Sequence, residues 1–168
     1  MLETILICAL CLQLICMAAW LTIGVVENIV HPFLNETFTA LVLDMERMRA
    51  GYPEAYEHVA YRRLASRKTQ RAFFYVAIFL EAVTVICLWA AVVALGASVG
   101  GWLSVELALG LALIGATMFS SVWAGFLIAG NYFCYWFGHE GGQNTHFHML
   151  HWGMAATLMV VACIAVVS

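Results

Sequence analysis

The chain has 168 residues, 64% of them hydrophobic and only 10% charged, with a formal net charge of −3. A soluble globular domain carries about a quarter charged residues, so this balance excludes one. No nucleic-acid partner follows from the basic cluster RRLASRKTQR, which is the kind of sequence that flanks a membrane helix.

Four stretches are apolar and long enough to cross a bilayer, which takes about 20 helical residues. The first, Leu2–Val26, has Glu3 where a secretory signal would have a positive region, and no small-residue cleavage site, so it reads as a retained helix. Its Cys8 and Cys11 have redox-motif spacing. Inside a membrane helix, however, they and the other four cysteines read as small apolar residues rather than a disulfide framework.

A connection over 27–71 follows, too long for a simple loop in a compact bundle. His31-Pro32 marks a turned residue just past helix one. Asn35 or Thr37 is expected to cap a short helix with Phe38, Leu41, Val42, Met45 and Met48 on one face. Gly51–Pro53 ends it, and a second helical piece is expected over Glu54–Ala65. Such an apolar stripe lies on the membrane surface or caps the bundle. All seven basic residues (Arg47, Arg49, Arg62, Arg63, Arg67, Lys68 and Arg71) fall in this connection. The positive-inside bias therefore puts it in the cytoplasm and both termini on the far side.

The second span is 72–99, with Glu81 some ten residues in and so near the bilayer centre. A carboxylate there must find a partner, be protonated or line a wet cavity. It reads either as a proton or cation site or as a protonated group bonded to a neighbouring helix, with Ser120, Ser121 or Asn131 as partners. The third span, 103–129, carries Ala108, Ala112, Ala116, Ser120 and Ala124 four apart, a ridge that lets a neighbouring backbone come close. Trp102, Tyr132, Tyr135 and Trp136 stand where helix ends meet headgroups.

The fourth span, 145–167, follows the corner NYFCYWFGHEGGQNTHFHMLHWG. Asn144, His148 and His151 share one helical stripe, and His146 points to another face. His148 and His151 would converge on one copper, zinc or iron ion, with His139, His146 or Glu140 assisting. The other reading is a polar corner of hydrogen-bonded histidines. A haem held by two histidines inside the bundle is disfavoured, because spans one to three contain no histidine. No nucleophile elbow or phosphate-binding glycine loop occurs.

Three segments carry a resemblance: VENIVHPFLNETFTALVLDME, RAFFYVAIFLEAVTVICLW and GFLIAGNYFCYWFGHEGGQNTHF. Through them the chain resembles, over nearly its full length, a bacterial family of predicted small integral membrane proteins, a four-helix domain of unknown function. Gly130, Phe133, Trp136, Gly142, Gln143 and Phe147 fall on the family's pattern. Asn131 and Tyr132 stand where the family usually has Glu and Trp, and the extra histidines of span four are not general to it. The resemblance implies a fold and carries no chemistry with it.

The expected fold is all-α, a polytopic transmembrane four-helix bundle with a partly helical interfacial connection between helices one and two, in a bacterial inner membrane. The leading functional expectation is a non-catalytic small subunit of a larger membrane complex, energy-converting or oxidoreductase. It would contact lipids and larger subunits through the Asn131–Gly153 corner and the Phe38–Met48 stripe. The alternatives are a metal- or haem-binding redox protein using the histidines, and a small oligomeric transporter using Glu81.

Overall fold

Apolar runs of this length cannot satisfy their backbone in lipid except as helix. In the computed structural model, which describes residues 2–167, they form four long helices. These are α1 (Leu2–Val30), α5 (Arg67–Val99), α6 (Val105–Tyr132) and α7 (Glu140–Val167). Each has 28 to 33 residues, or about 42–50 Å of helix against a hydrocarbon core of about 30 Å. Their ends therefore project past the core, and every one is longer than the apolar pattern alone suggests. Polar residues continue the helix beyond the pattern at the end of α1 and at the starts of α5 and α7. Ser66 and Ser104 accept from the backbone N–H of Thr69 and Leu107, opening α5 and α6.

The helices alternate in direction and pack as neighbours in the order α1, α5, α6, α7, with a thinner α1–α7 seam closing the ring. The core is densest at the end holding the start of α1 and the end of α5. There Leu10, Leu14, Leu88, Leu95, Leu109 and Ala112 are fully or almost fully buried. Ala108, Ala112 and Ala116 are buried without remainder, while Ser120 and Ala124 are only partly covered. Two glycines make the close approaches. A Cβ on Gly115 would sit 3.4 Å from the Leu88 Cα and the Cys87 carbonyl, and one on Gly153 would sit 3.2 Å from the Ser120 Cα.

The connection holds three short helices: α2 (Pro32–Leu43), α3 (Glu46–Gly51) and α4 (Pro53–Glu57), then a 3₁₀ turn at Ala60–Arg62. The cap of α2 is His31, with Pro32 in the first turn, rather than Asn35 or Thr37. Proline's fixed φ and missing N–H suit that position. The single expected helix is broken at Met45, whose φ of 52° ends one run and starts the next. Consequently the apolar stripe does not stay on one face: Phe38 is partly exposed, whereas Leu43, Met45 and Met48 are buried.

Those buried residues pack on Phe133 and Cys134 of the corner between α6 and α7. Arg47 donates to the Gly138 carbonyl and Arg62 to the Tyr132 carbonyl, cations on carbonyls at and beyond the α6 terminus. The stripe and the corner, expected as two surfaces for outside partners, largely cover each other. Asp44 accepts from Arg63 at 2.9 Å and Arg49 at 3.4 Å, Arg71 meets Glu36 at 3.0 Å, and Gln70 donates to the Leu64 carbonyl. The connection thus caps the bundle.

Candidate functional site

Beneath this cap the helices leave a cavity of about 440 Å³, walled by α1, α2, α5, α6, α7 and the corner. Its volume is in the range of small-molecule sites, about 300–1,000 Å³. Gly24, Ala77, Ala129 and Gly130 line it, and these small residues leave the room.

One wall is polar. The Asn28 side-chain amide donates to Glu81 Oε2 at 3.3 Å, and Asn35 Nδ2 donates to Asn28 Oδ1. This line joins α5 to α1 and α1 to α2. The partner of Glu81 is therefore Asn28, not Ser120, Ser121 or Asn131. Ser120 and Ser121 bond instead to carbonyls four residues back on their own helix, the usual recourse of a hydroxyl in a membrane helix. Asn28, the partner of Glu81, is next to the exposed Glu27, two residues before α1 ends. The Asn28 contact places Glu81 level with the last turns of α1, on the cap side of the bundle.

The opposite wall is aromatic. His146 lies 5.1 Å from Phe126, 5.6 Å from Trp123 and 6.0 Å from Tyr135, ring centre to ring centre. Three buried polar atoms here, Trp123 Nε1, Tyr135 Oη and His146 Nδ1, have no hydrogen-bond partner in the protein. Tyr135 was expected at the headgroups. It turns inward instead, its ring laid over Gly130, where a Cβ would stand 2.6 Å from it. Burial raises its phenol to about 12.

The histidines separate. His148 and His151 lie on the outward face of α7, and His146 faces the cavity. His139 is buried under the cap, edge-on to Phe38 at 5.2 Å, with neither ring nitrogen partnered. Burial chiefly, then the Arg47 charge, lowers its pKa against an opposing pull from Glu140. Glu140 is exposed in the first turn of α7. Among the described residues no three His, Cys, Asp or Glu side chains gather as metal ligands. The expected set of His148, His151, His139, His146 and Glu140 is thus spread over an outward helix face, an inward one and the corner.

Sequence reasoning missed Asn28, Asn35, Gly24 and Trp123. The signal for Asn28 was its spacing after Leu21 and Val25, which puts all three on the buried face of α1. It was hidden because α1 was expected to end at Val26.

Four apolar helices packed on one another make this a multi-pass integral membrane protein. The model of the family described as predicted small integral membrane protein (DUF2165) matches residues 6–163, and the chain belongs to that family. No curated protein and no solved structure matches it.

Proposed function

We propose that the protein is a non-catalytic membrane protein that holds a small amphipathic molecule in the cavity under its cap. The observation that carries this is the pairing of an apolar volume of about 440 Å³ with polar groups at two walls. Leaving buried donors unpaired costs about 1–3 kcal/mol each, so the unpartnered Trp123 Nε1 and Tyr135 Oη favour an occupant with a hydrogen-bond acceptor. Trp20, Phe38 and Phe73 line the cavity yet are partly exposed, a route of entry from the bilayer. The seven basic residues between Arg47 and Arg71 favour a cytoplasmic cap at a bacterial inner membrane.

The test is extraction into lipid nanodiscs followed by mass spectrometry of everything retained, for wild type and Gly24→Leu. Gly24 lines the cavity, and a Cβ on it meets nothing within 4 Å. A molecule retained by wild type and excluded by the variant is expected. Identical contents in both would end this reading. If Glu81 carries its ligand across the membrane, Glu81→Gln stops flux in vesicles, which is the transporter form of the same proposal.

A second reading is a subunit of a larger membrane complex, energy-converting or oxidoreductase. It is favoured by Asn144, His148 and His151, three polar side chains exposed along one outward face of a membrane helix. Polar groups on such faces bond to other helices, and a copper, zinc or iron ion there would need further ligands from a partner. Co-purification in mild detergent, with metal analysis, tests it. A stoichiometric partner lost on His148→Ala, His151→Ala is expected, and recovery of the chain alone without metal would remove it.

A further inference from the structure

The charges around the cavity narrow what it accepts. Among its lining residues Glu81 is the one carboxylate, there is no lysine or arginine, and the other titratable side chains are Tyr135 and His146. The arginines of the cap are engaged elsewhere: Arg49 and Arg63 on Asp44, Arg71 on Glu36, Arg67 on the Gln70 side chain, Arg47 and Arg62 on backbone carbonyls. Glu81 therefore faces the cavity with a single amide donor, Asn28. An amide supplies part of the solvation a carboxylate loses on leaving water and no counter-charge.

The remaining surface is rich in ring faces, among them Trp20, Phe74, Trp123 and Phe126. Such faces attract an organic cation within about 6 Å of the ring centre. We infer that the cavity is a binding site for a lipophilic organic cation, an amine or quaternary ammonium carried on an apolar body that also bears a hydrogen-bond acceptor for Trp123 Nε1 or Tyr135 Oη. Glu81 supplies the counter-charge, the rings supply the walls, and the half-exposed aromatic residues admit the molecule from lipid. An anion would meet Glu81 with no basic residue beside it. A small hydrated metal ion would leave the apolar walls unused, and a neutral amphiphile would leave Glu81 as it is.

This rests on the ligand-holding reading above, and the experiment separates the two. The probes are 4-phenylbutyltrimethylammonium and its uncharged isostere with a tert-butyl group in place of the trimethylammonium. Each is titrated into the protein in zwitterionic nanodiscs, with tryptophan emission as the signal, since Trp20 and Trp123 line the cavity. The expected result is binding of the cation at least about tenfold tighter than the isostere. In Glu81→Gln that preference is lost while the isostere binds as before. Equal binding of both probes to the wild type overturns the cation inference and leaves the cavity's binding role standing. Binding of neither, with emission also unchanged in Gly24→Leu, overturns both. The comparison of probes on the unaltered chain needs no variant to fold.

Discussion

The same substitution, glycine to alanine, has opposite expected signs at two membrane-helix positions. At Gly24 an added methyl group points toward the cavity and meets nothing within 4 Å. Alanine recovers the backbone entropy that glycine loses in a helix, about 0.8–1 kcal/mol, so Gly24→Ala stabilises by up to about 1 kcal/mol. At Gly153 the methyl would come within 3.0 Å of Phe119 Cδ1 and 3.2 Å of the Ser120 Cα, and closer still to Ser120 Oγ. The hydroxyl can rotate, but the Cα moves only if α6 and α7 part. Overpacking of this kind costs about 1–3 kcal/mol, and the rigid neighbours argue for the upper half. Less the same helix gain, Gly153→Ala destabilises by about 1–2 kcal/mol. Adding Ser120→Ala removes the nearest atom and recovers part of the loss. Reversible unfolding in mixed micelles, or the midpoint of heat inactivation followed by near-UV circular dichroism, reads both. If both substitutions destabilise, the open cavity at Gly24 is wrong, and if both stabilise, the tight helix contact at Gly153 is wrong.

Asn28→Ala removes the donor to Glu81 and the acceptor from Asn35. With interhelical bonds in membranes averaging about 0.6 and reaching about 1.7 kcal/mol, the same unfolding assay should register a loss of about 1–3 kcal/mol, and an unchanged midpoint would deny Asn28 that role. Because burial and Arg47 lower the His139 pKa in the folded state, the unfolded chain takes up the proton first. Stability is full above about pH 6.5 and falls as pH drops below it. His139→Leu should flatten that fall, and a profile with the wild-type slope would show that His139 is not its source. Asp44→Ala frees Arg49 and Arg63, both partly exposed, so global stability falls by less than about 1 kcal/mol. Hydrogen exchange across 46–63 should nevertheless quicken, and unchanged protection there would show that the ion pairs do not hold the cap.

The spans were legible because lipid leaves an apolar chain few choices, and twenty apolar residues in a row admit one conformation. Their ends were not, because a polar residue such as Asn28 stops a hydropathy pattern without stopping a helix. That one difference hid the site: with α1 ended at Val26, Asn28 becomes loop and Glu81 has no visible partner. The cap's location over the corner was equally out of reach. Met45 at positive φ turns the stripe by a backbone change that side-chain periodicity does not register. The small residues of α6 were read as a packing ridge, and Ala108, Ala112 and Ala116 are fully buried. Nothing in the sequence said where the ridge stops touching.

That limit explains why the cavity lies where it does. Small residues run the length of the bundle, but they do different things at its two ends. Away from the cap, Ala91, Ala108 and Ala112 sit among Leu10, Leu14 and Leu95, and the helices close completely. Toward the cap, Gly24, Ala77, Ala129 and Gly130 stand level with Trp20, Trp123, Phe126 and Tyr135. Rings packed edge to face, as Trp20 and Trp123 are at 5.5 Å, hold the backbones apart, and α2 wedges against α1 and α5. The small side chains then leave volume instead of contact. A chain needing only to be stable in lipid would have filled that volume with leucine, as its other half does. This one keeps it open beside Glu81, the one buried acidic side chain among the described residues, and that end is where its activity should be sought.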